Sequence, residues 1–146
     1  MNLSSVNNND NEISKSIRDK HPFRILLVDD EVDITSVTKR GLQSNGFEVD
    51  AFTDPAKALS NFKTGVYDLL LLDVKMPKIN GFELFRHISK VDNKIKVCFM
   101  SAVESYADEF KTAFPNQSES CFTRKPISID ELAKKIKEQL LEESRQ

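Results

Sequence analysis

Five short apolar runs recur along the chain, at 24–28, 47–52, 67–72, 96–100 and 120–124, and each is followed by apolar residues at helical spacing. Runs this short, closed by polar or turn-forming residues, favour buried strands over helices. The run at 67–72 is the most apolar of the five and does not alternate, and Asp73 closes it. A strand so uniformly apolar is covered on both faces, as a central parallel strand is. Five strand–helix alternations in one chain predict a doubly wound α/β domain with a parallel sheet.

The helical stretches carry their own boundaries. Ile34, Val37 and Leu42, with the neighbouring small residues, are expected to share one face of the first helix, which Asn45-Gly46 stops. Asp54 caps the second helix, Pro55 stands at its first position, Ala58, Leu59 and Phe62 form its stripe, and Gly65 ends it. Phe82, Leu84, Phe85 and Ile88 mark the third helix, after a loop running from Lys75 to Gly81. Val103, Tyr106, Ala107, Phe110 and Phe114 mark the fourth, read as core. The last opens on Ser128 and Glu131, a capping box, with Ile129, Leu132, Ala133, Ile136 and Leu140 inside.

Composition narrows the class. The 146 residues suffice for one domain with its own core plus a tail. A net charge of −2 gives no basic footprint for nucleic acid. No run approaches a membrane span. Residues 1–21 are rich in Ser, Asn and charge, and read as a disordered or weakly structured leader to a folded domain over 22–146. Asn7, Asn8, Asn9 and Asp10 occupy the place where a signal peptide needs apolar residues, so the cytoplasm is the expected location. Cys98 and Cys121 lie in apolar stretches without metal-ligand spacing and are expected to be buried, reduced thiols.

In open parallel sheets, ligands bind beyond the carboxyl ends of the strands. The residues there are Asp29 and Asp30, Asp73, Ser101 and Lys125. Each has an ordinary alternative: the acidic pair as a helix cap, Ser101 as a turn residue, Lys125-Pro126 as a loop. Together they would bring three carboxylates, a hydroxyl and an ammonium to one edge. Crowded carboxylates repel. A hard divalent cation such as Mg2+ relieves that conflict, and a phosphoryl group has oxygens for both metal and ammonium.

The motifs Val28-Asp29-Asp30-Glu31, Leu72-Asp73-Val74-Lys75-Met76-Pro77 with Asn80-Gly81, Met100-Ser101-Ala102 and Lys125-Pro126 resemble, in order and spacing, the CheY-like receiver domains of two-component response regulators. The resemblance covers about residues 23–143. It implies a flavodoxin-like fold of five helices around five parallel strands in the order 2-1-3-4-5. It implies that Asp73 accepts the phosphoryl group and that Asp29, Asp30, Asp73 and the backbone carbonyl of Lys75 hold Mg2+ (or Mn2+). Ser101 would be the hydroxyl that turns toward the phosphoryl group, Lys125 the ammonium that pairs with it, and Phe122 the aromatic that moves with Ser101. Ala102 would leave room for a phosphodonor. Lys75 and Val103 would flank the opening. Val103 offers an attacking water no hydrogen bond, and Lys75 either lies across the opening or points into solvent.

The implied partners are a sensor histidine kinase or phosphotransfer protein and, through the face of the fourth helix, fifth strand and last helix, a target protein or a second copy. Neither nucleic acid nor membrane is expected to bind this domain. It would catalyse only its own phosphorylation and dephosphorylation, as a switch without turnover. The alternative is a phosphate-independent pseudo-receiver, which would lack an acidic or Lys position. An aspartyl-phosphate hydrolase would need a second carboxylate where Lys75 stands. With the last helix complete near Leu141, the expectation is either a stand-alone receiver or a piece of a longer regulator.

Overall fold

In a computed structural model, which describes residues 22–118 and 121–142, the apolar runs become strands β1 (Arg24–Val28), β2 (Glu48–Phe52), β3 (Leu69–Asp73), β4 (Lys96–Ser101) and β5 (Phe122–Arg124). Between and after them lie helices α1 (Val32–Ser44), α2 (Pro55–Asn61), α3 (Gly81–Val91), α4 (Ser105–Ala113) and α5 (Ile129–Glu142). The strands form one parallel sheet in the order β2-β1-β3-β4-β5. The expected leader at 1–21 lies outside the described residues.

Successive residues of a strand point to opposite faces, and both faces of this sheet are covered. Leu26, Val28, Leu70, Leu72, Val97 and Phe99 meet Ala58, Phe82, Phe85, Ile88 and Phe110 of α2, α3 and α4. Ile25, Leu27, Leu69, Leu71, Cys98 and Met100 meet Leu42, Leu132, Ala133, Ile136 and Leu140 of α1 and α5. Every residue of β3 is buried, which is why its sequence shows no alternation. Because the strand order reverses between β1 and β3, the chain leaves their carboxyl ends toward opposite faces. A crevice opens where α1 and α3 part.

Local chemistry sets most boundaries as expected. The Ala56 N–H donates to Asp54 Oδ1 at 2.9 Å, with Pro55 at the first helical position. Gly46, with φ +94°, follows the end of α1. The Glu131 N–H donates to Ser128 Oγ at 3.1 Å, one half of the expected box. A complete capping box that the motif survey missed joins Asn80 and Glu83 at the start of α3, with both bonds at 2.9 Å.

Four expectations need correction. Ile34 and Val37 are not on the inner face of α1; with Val32 they are 39–64 % exposed, while Thr35, Thr38 and Leu42 are buried. The small residues decide the rotation. Thr35 Oγ1 lies 2.7 Å from the carbonyl oxygens of Asp29 and Glu31, and a Cβ on Gly41 would come within 2.5 Å of Ile129 Cγ2 on α5. The second helix ends at Asn61, and Gly65, with φ +84°, serves a later turn. Val103 precedes α4, because Glu104 is its N-cap. The fifth strand begins at Phe122, and Cys121 belongs to a tight turn whose N–H donates to the Ser118 carbonyl at 3.0 Å.

Candidate phosphoryl site

The crevice at the β1–β3 switch point collects the acidic residues. Asp29 directly follows β1 and is 1 % exposed, and Asp73 ends β3 at 6 % exposed. Carboxylate oxygens of Asp29, Asp30 and Asp73 all lie within 4.8 Å of one another. Lys125, arriving from the end of β5, places Nζ 3.0 Å from Asp29 Oδ2 and 3.0 Å from Asp73 Oδ1. The peptide between Lys125 and Pro126 is cis.

Backbone contacts hold these side chains in place. The Glu31 N–H donates to Asp29 Oδ1 at 3.0 Å. The Lys125 N–H donates to the Ser101 carbonyl at 2.9 Å, and the Val74 N–H to the Met100 carbonyl at 3.0 Å. Gly81 opens α3 against the phosphoacceptor candidate itself: a Cβ there would stand 2.4 Å from the Asp73 carbonyl oxygen. Only glycine allows that approach. The sequence survey named Gly81 only as part of a motif, and no local pattern reveals which backbone it presses on.

Charge at the site is out of balance. Burial pushes the Asp73 carboxyl up to about 6; the Lys125 ammonium pulls against that, and Asp29 and Asp30 add to the rise. Burial works against the Lys125 ammonium, yet its bonds to Asp29 and Asp73 outweigh it and its pKa stands above the ordinary value. The single ammonium bridges Asp29 and Asp73 in a cluster of three carboxylates. Two negative charges are left over, the charge of one divalent cation, and the ligands are all hard oxygens. The donor set therefore fits Mg2+.

Above this floor a cleft of about 470 Å³ opens to solvent, lined by Asp30, Glu31, Asp73, Lys75, Met76, Pro77, Ser101, Ala102, Val103 and Lys125. The expected residues Lys75, Ser101, Ala102 and Val103 are thus brought to the site with Asp30, Asp73 and Lys125. Asp29 lies beneath it, bonded to Lys125. Glu31, Met76 and Pro77, which stand in the motifs without an expected role, complete the lining. Ser101 is buried, and its Oγ accepts from the Val103 N–H at 3.0 Å. Phe122 is outside the cleft, half-buried, with its ring 5.7 Å from that of Phe110 on α4. Neither Asp29 nor Asp30 is the N-cap of α1; Glu31 occupies that position.

Known proteins share this sequence pattern and fold. Residues 25–137 match the family model of the response regulator receiver domain. The transcriptional regulatory protein PrrA of Mycobacterium leprae is 33 % identical over 114 residues, covering 78 % of this chain and 48 % of that protein. The chain spans about half the length of the curated relatives it matches. The CheY-like receiver domain protein of Methanospirillum hungatei superposes with a TM-score of 0.73 at 28 % identity, covering 84 % of this chain and 97 % of that one. The Thermotoga maritima response regulator TrrA, solved in complex with Mg2+ and BeF, gives 0.69 at 34 %, covering 81 % and 98 %. With five parallel strands in the shared order and the acidic crevice at their switch point, the chain belongs to the receiver-domain family of two-component response regulators.

Proposed function

We propose that this receiver is a phosphate-operated switch in which Asp73 takes a phosphoryl group from a phosphohistidine on a sensor kinase or phosphotransfer protein, or from a small acyl phosphate. The observation that carries this reading is the shared Lys125 ammonium. It holds Asp73 Oδ1 at 3.0 Å on the floor of an open cleft and leaves the second carboxylate oxygen for attack. Asp29, Asp30, Asp73 and the Lys75 carbonyl would hold Mg2+ (or Mn2+), which supplies charge neutralisation to phosphoryl transfer.

The chain's own groups do the rest. The Asp73 carboxylate attacks phosphorus in line as the bond to the donor breaks. Lys125 follows the new charge and pairs with a phosphoryl oxygen. Ser101 Oγ, held in the unphosphorylated state by the Val103 N–H, turns toward the phosphoryl group and releases the start of the β4–α4 connection. Phe122, packed on Phe110, moves with it, and the α4–β5–α5 face changes for a target protein or a second copy. Such a modification biases a two-state element and does not drive turnover. Ala102 leaves the donor room, while Lys75 and Val103 at the rim limit the approach of hydrolytic water. A phosphate-independent module would need none of this assembly, which favours phosphate use.

The donor's seat adjoins the cleft. Ile34 and Val37 of α1 line a groove with Ile127 and Ile129, and that groove shares Glu31, Ala102 and Lys125 with the phosphoryl cleft. A donor protein whose apolar surface seats on this strip would bring its phosphohistidine over Asp73. The domain is taken as residues 22–146 and works in the cytoplasm, where such a donor presents its histidine. The test is the NMR response to beryllofluoride with Mg2+. Amides of Asp29, Asp73, Ser101 and the segment from Ser105 to Phe114 should shift together with Phe122. Changes confined to Asp29 and Asp73 would refute the switch.

A further inference from the structure

Glu31 heads α1 without the chemistry that position asks for. It is the N-cap of the helix, yet its side chain makes no capping bond, and glutamate is not among the residues that favour an N-cap. Its backbone is fixed on both sides. The Glu31 N–H donates to Asp29 Oδ1 at 3.0 Å, while the Glu31 carbonyl accepts from the Thr35 N–H at 2.9 Å and from Thr35 Oγ1 at 2.7 Å. Asp29 is in turn bonded to Lys125, so the Glu31 backbone is tied to the floor of the phosphoryl site. From that anchored backbone extends an exposed side chain.

Its place bears on the leaving group of phosphoryl transfer. The phosphoryl cleft and the apolar groove of α1 meet at three residues, Glu31, Ala102 and Lys125. Ala102 has no polar side-chain atom, and the Lys125 ammonium is taken up by Asp29 and Asp73, each at 3.0 Å. Glu31 is therefore the side chain at this junction that can accept a hydrogen bond. In-line attack by Asp73 puts the departing atom on the far side of phosphorus, toward the mouth of the cleft. A donor seated on the groove passes its reacting group through the junction, beside Glu31.

A phosphohistidine differs from an acyl phosphate in what leaves. A carboxylate departs as a stable anion. An imidazole departs readily when its second ring nitrogen carries a proton, because the ring then leaves neutral. We propose that the Glu31 carboxylate accepts a hydrogen bond from that second N–H, holds the donor ring protonated and in line, and so selects phosphohistidine over acyl phosphates. The P–N bond breaks as the bond from an Asp73 oxygen to phosphorus forms. The P–N electron pair stays on the ring nitrogen and neutralises the imidazolium, and the proton on the second nitrogen stays in place. The bond from the carboxylate is charge-assisted and orients the ring before attack. This assignment rests on the phosphate-switch reading of Asp73.

The test gives the full chain, with Mg2+, two small donors that have no protein surface to dock: N-phosphoimidazole and acetyl phosphate. Intact mass follows the second-order rate of phosphoryl gain from each. In Glu31→Gln the ratio of the phosphoimidazole rate to the acetyl phosphate rate should fall about tenfold, the size of one charge-assisted hydrogen bond. Asp33→Asn, which removes the same charge from another exposed position of α1, should keep the wild-type ratio. An unchanged ratio in Glu31→Gln, even with both rates lowered together, would overturn the assignment. So would an equal fall of the ratio in both variants, which loss of charge alone explains, or a wild type that accepts acetyl phosphate but not phosphoimidazole. Wild type that gains no phosphoryl group from either donor would instead refute the switch at Asp73, and the assignment with it.

Discussion

Replacing Asp73 with Asn should stabilise the metal-free protein at neutral pH, although it removes an ion pair. Asn keeps a carbonyl oxygen for Lys125 Nζ, which stands 3.0 Å from Asp73 Oδ1, and discards one of three crowded negative charges. The Asp73 carboxyl is raised from 3.8 to about 6 in the fold, chiefly by burial. Between those values the native state keeps a proton that the unfolded chain has lost, so stability falls as pH rises through that window. The full cost of ionising Asp73 in the fold is on the order of 3 kcal/mol. Urea melts of wild type and Asp73→Asn in chelator should show the variant more stable by up to this amount above about pH 6.5, with the gap closing near pH 4. A variant less stable than wild type at neutral pH, or a gap independent of pH, would show that Lys125 compensates Asp73 fully and that the site needs no further cation.

Millimolar Mg2+ should raise the melting temperature of wild type, because a cation bound only by the fold adds stability by mass action; Asp30→Asn should lose most of that increment, and equal shifts in both proteins would contradict the ligand set. Val37→Glu, on an exposed position of α1, should slow phosphorylation by a cognate histidine kinase tenfold or more (about 1.4 kcal/mol) while leaving that by acetyl phosphate unchanged; equal loss with both donors would refute docking on that groove. Lys75→Asn and Val103→Glu, at the rim of the cleft, should each speed the decay of phosphorylated protein after donor removal, and unchanged decay in both would show that neither side chain governs water access.

How far the sequence was legible depended on whether the physics was local. The uniform run Leu69–Leu72, short and closed by Asp73, read as a strand covered on both faces, and the topological rule for parallel sheets then pointed to Asp29, Asp73 and Lys125, which share ion pairs in the fold. The Asn80–Glu83 box was legible too, as a capping pair ahead of an apolar run, and was passed over inside a motif. The rotation of α1 was not legible. Periodicity reports an apolar stripe but not whether it meets the core or a partner, and here Thr35, Thr38 and Gly41 claim the inner face. The contact of Gly81 with the Asp73 carbonyl and the bond from the Val103 N–H to Ser101 Oγ depend on how connections fold over strand ends. The shortness of β5 follows from the turn that takes Cys121 out of the strand.

The central claim is that Asp73 accepts the phosphoryl group, and intact mass measured after incubation with acetyl phosphate and Mg2+ tests it most directly. Wild type should gain one phosphoryl group, lose the gain when chelator replaces Mg2+, and carry it on the peptide containing Asp73, while Asp73→Asn gains nothing. Unchanged wild-type mass, or equal modification of the Asn variant, would contradict the account.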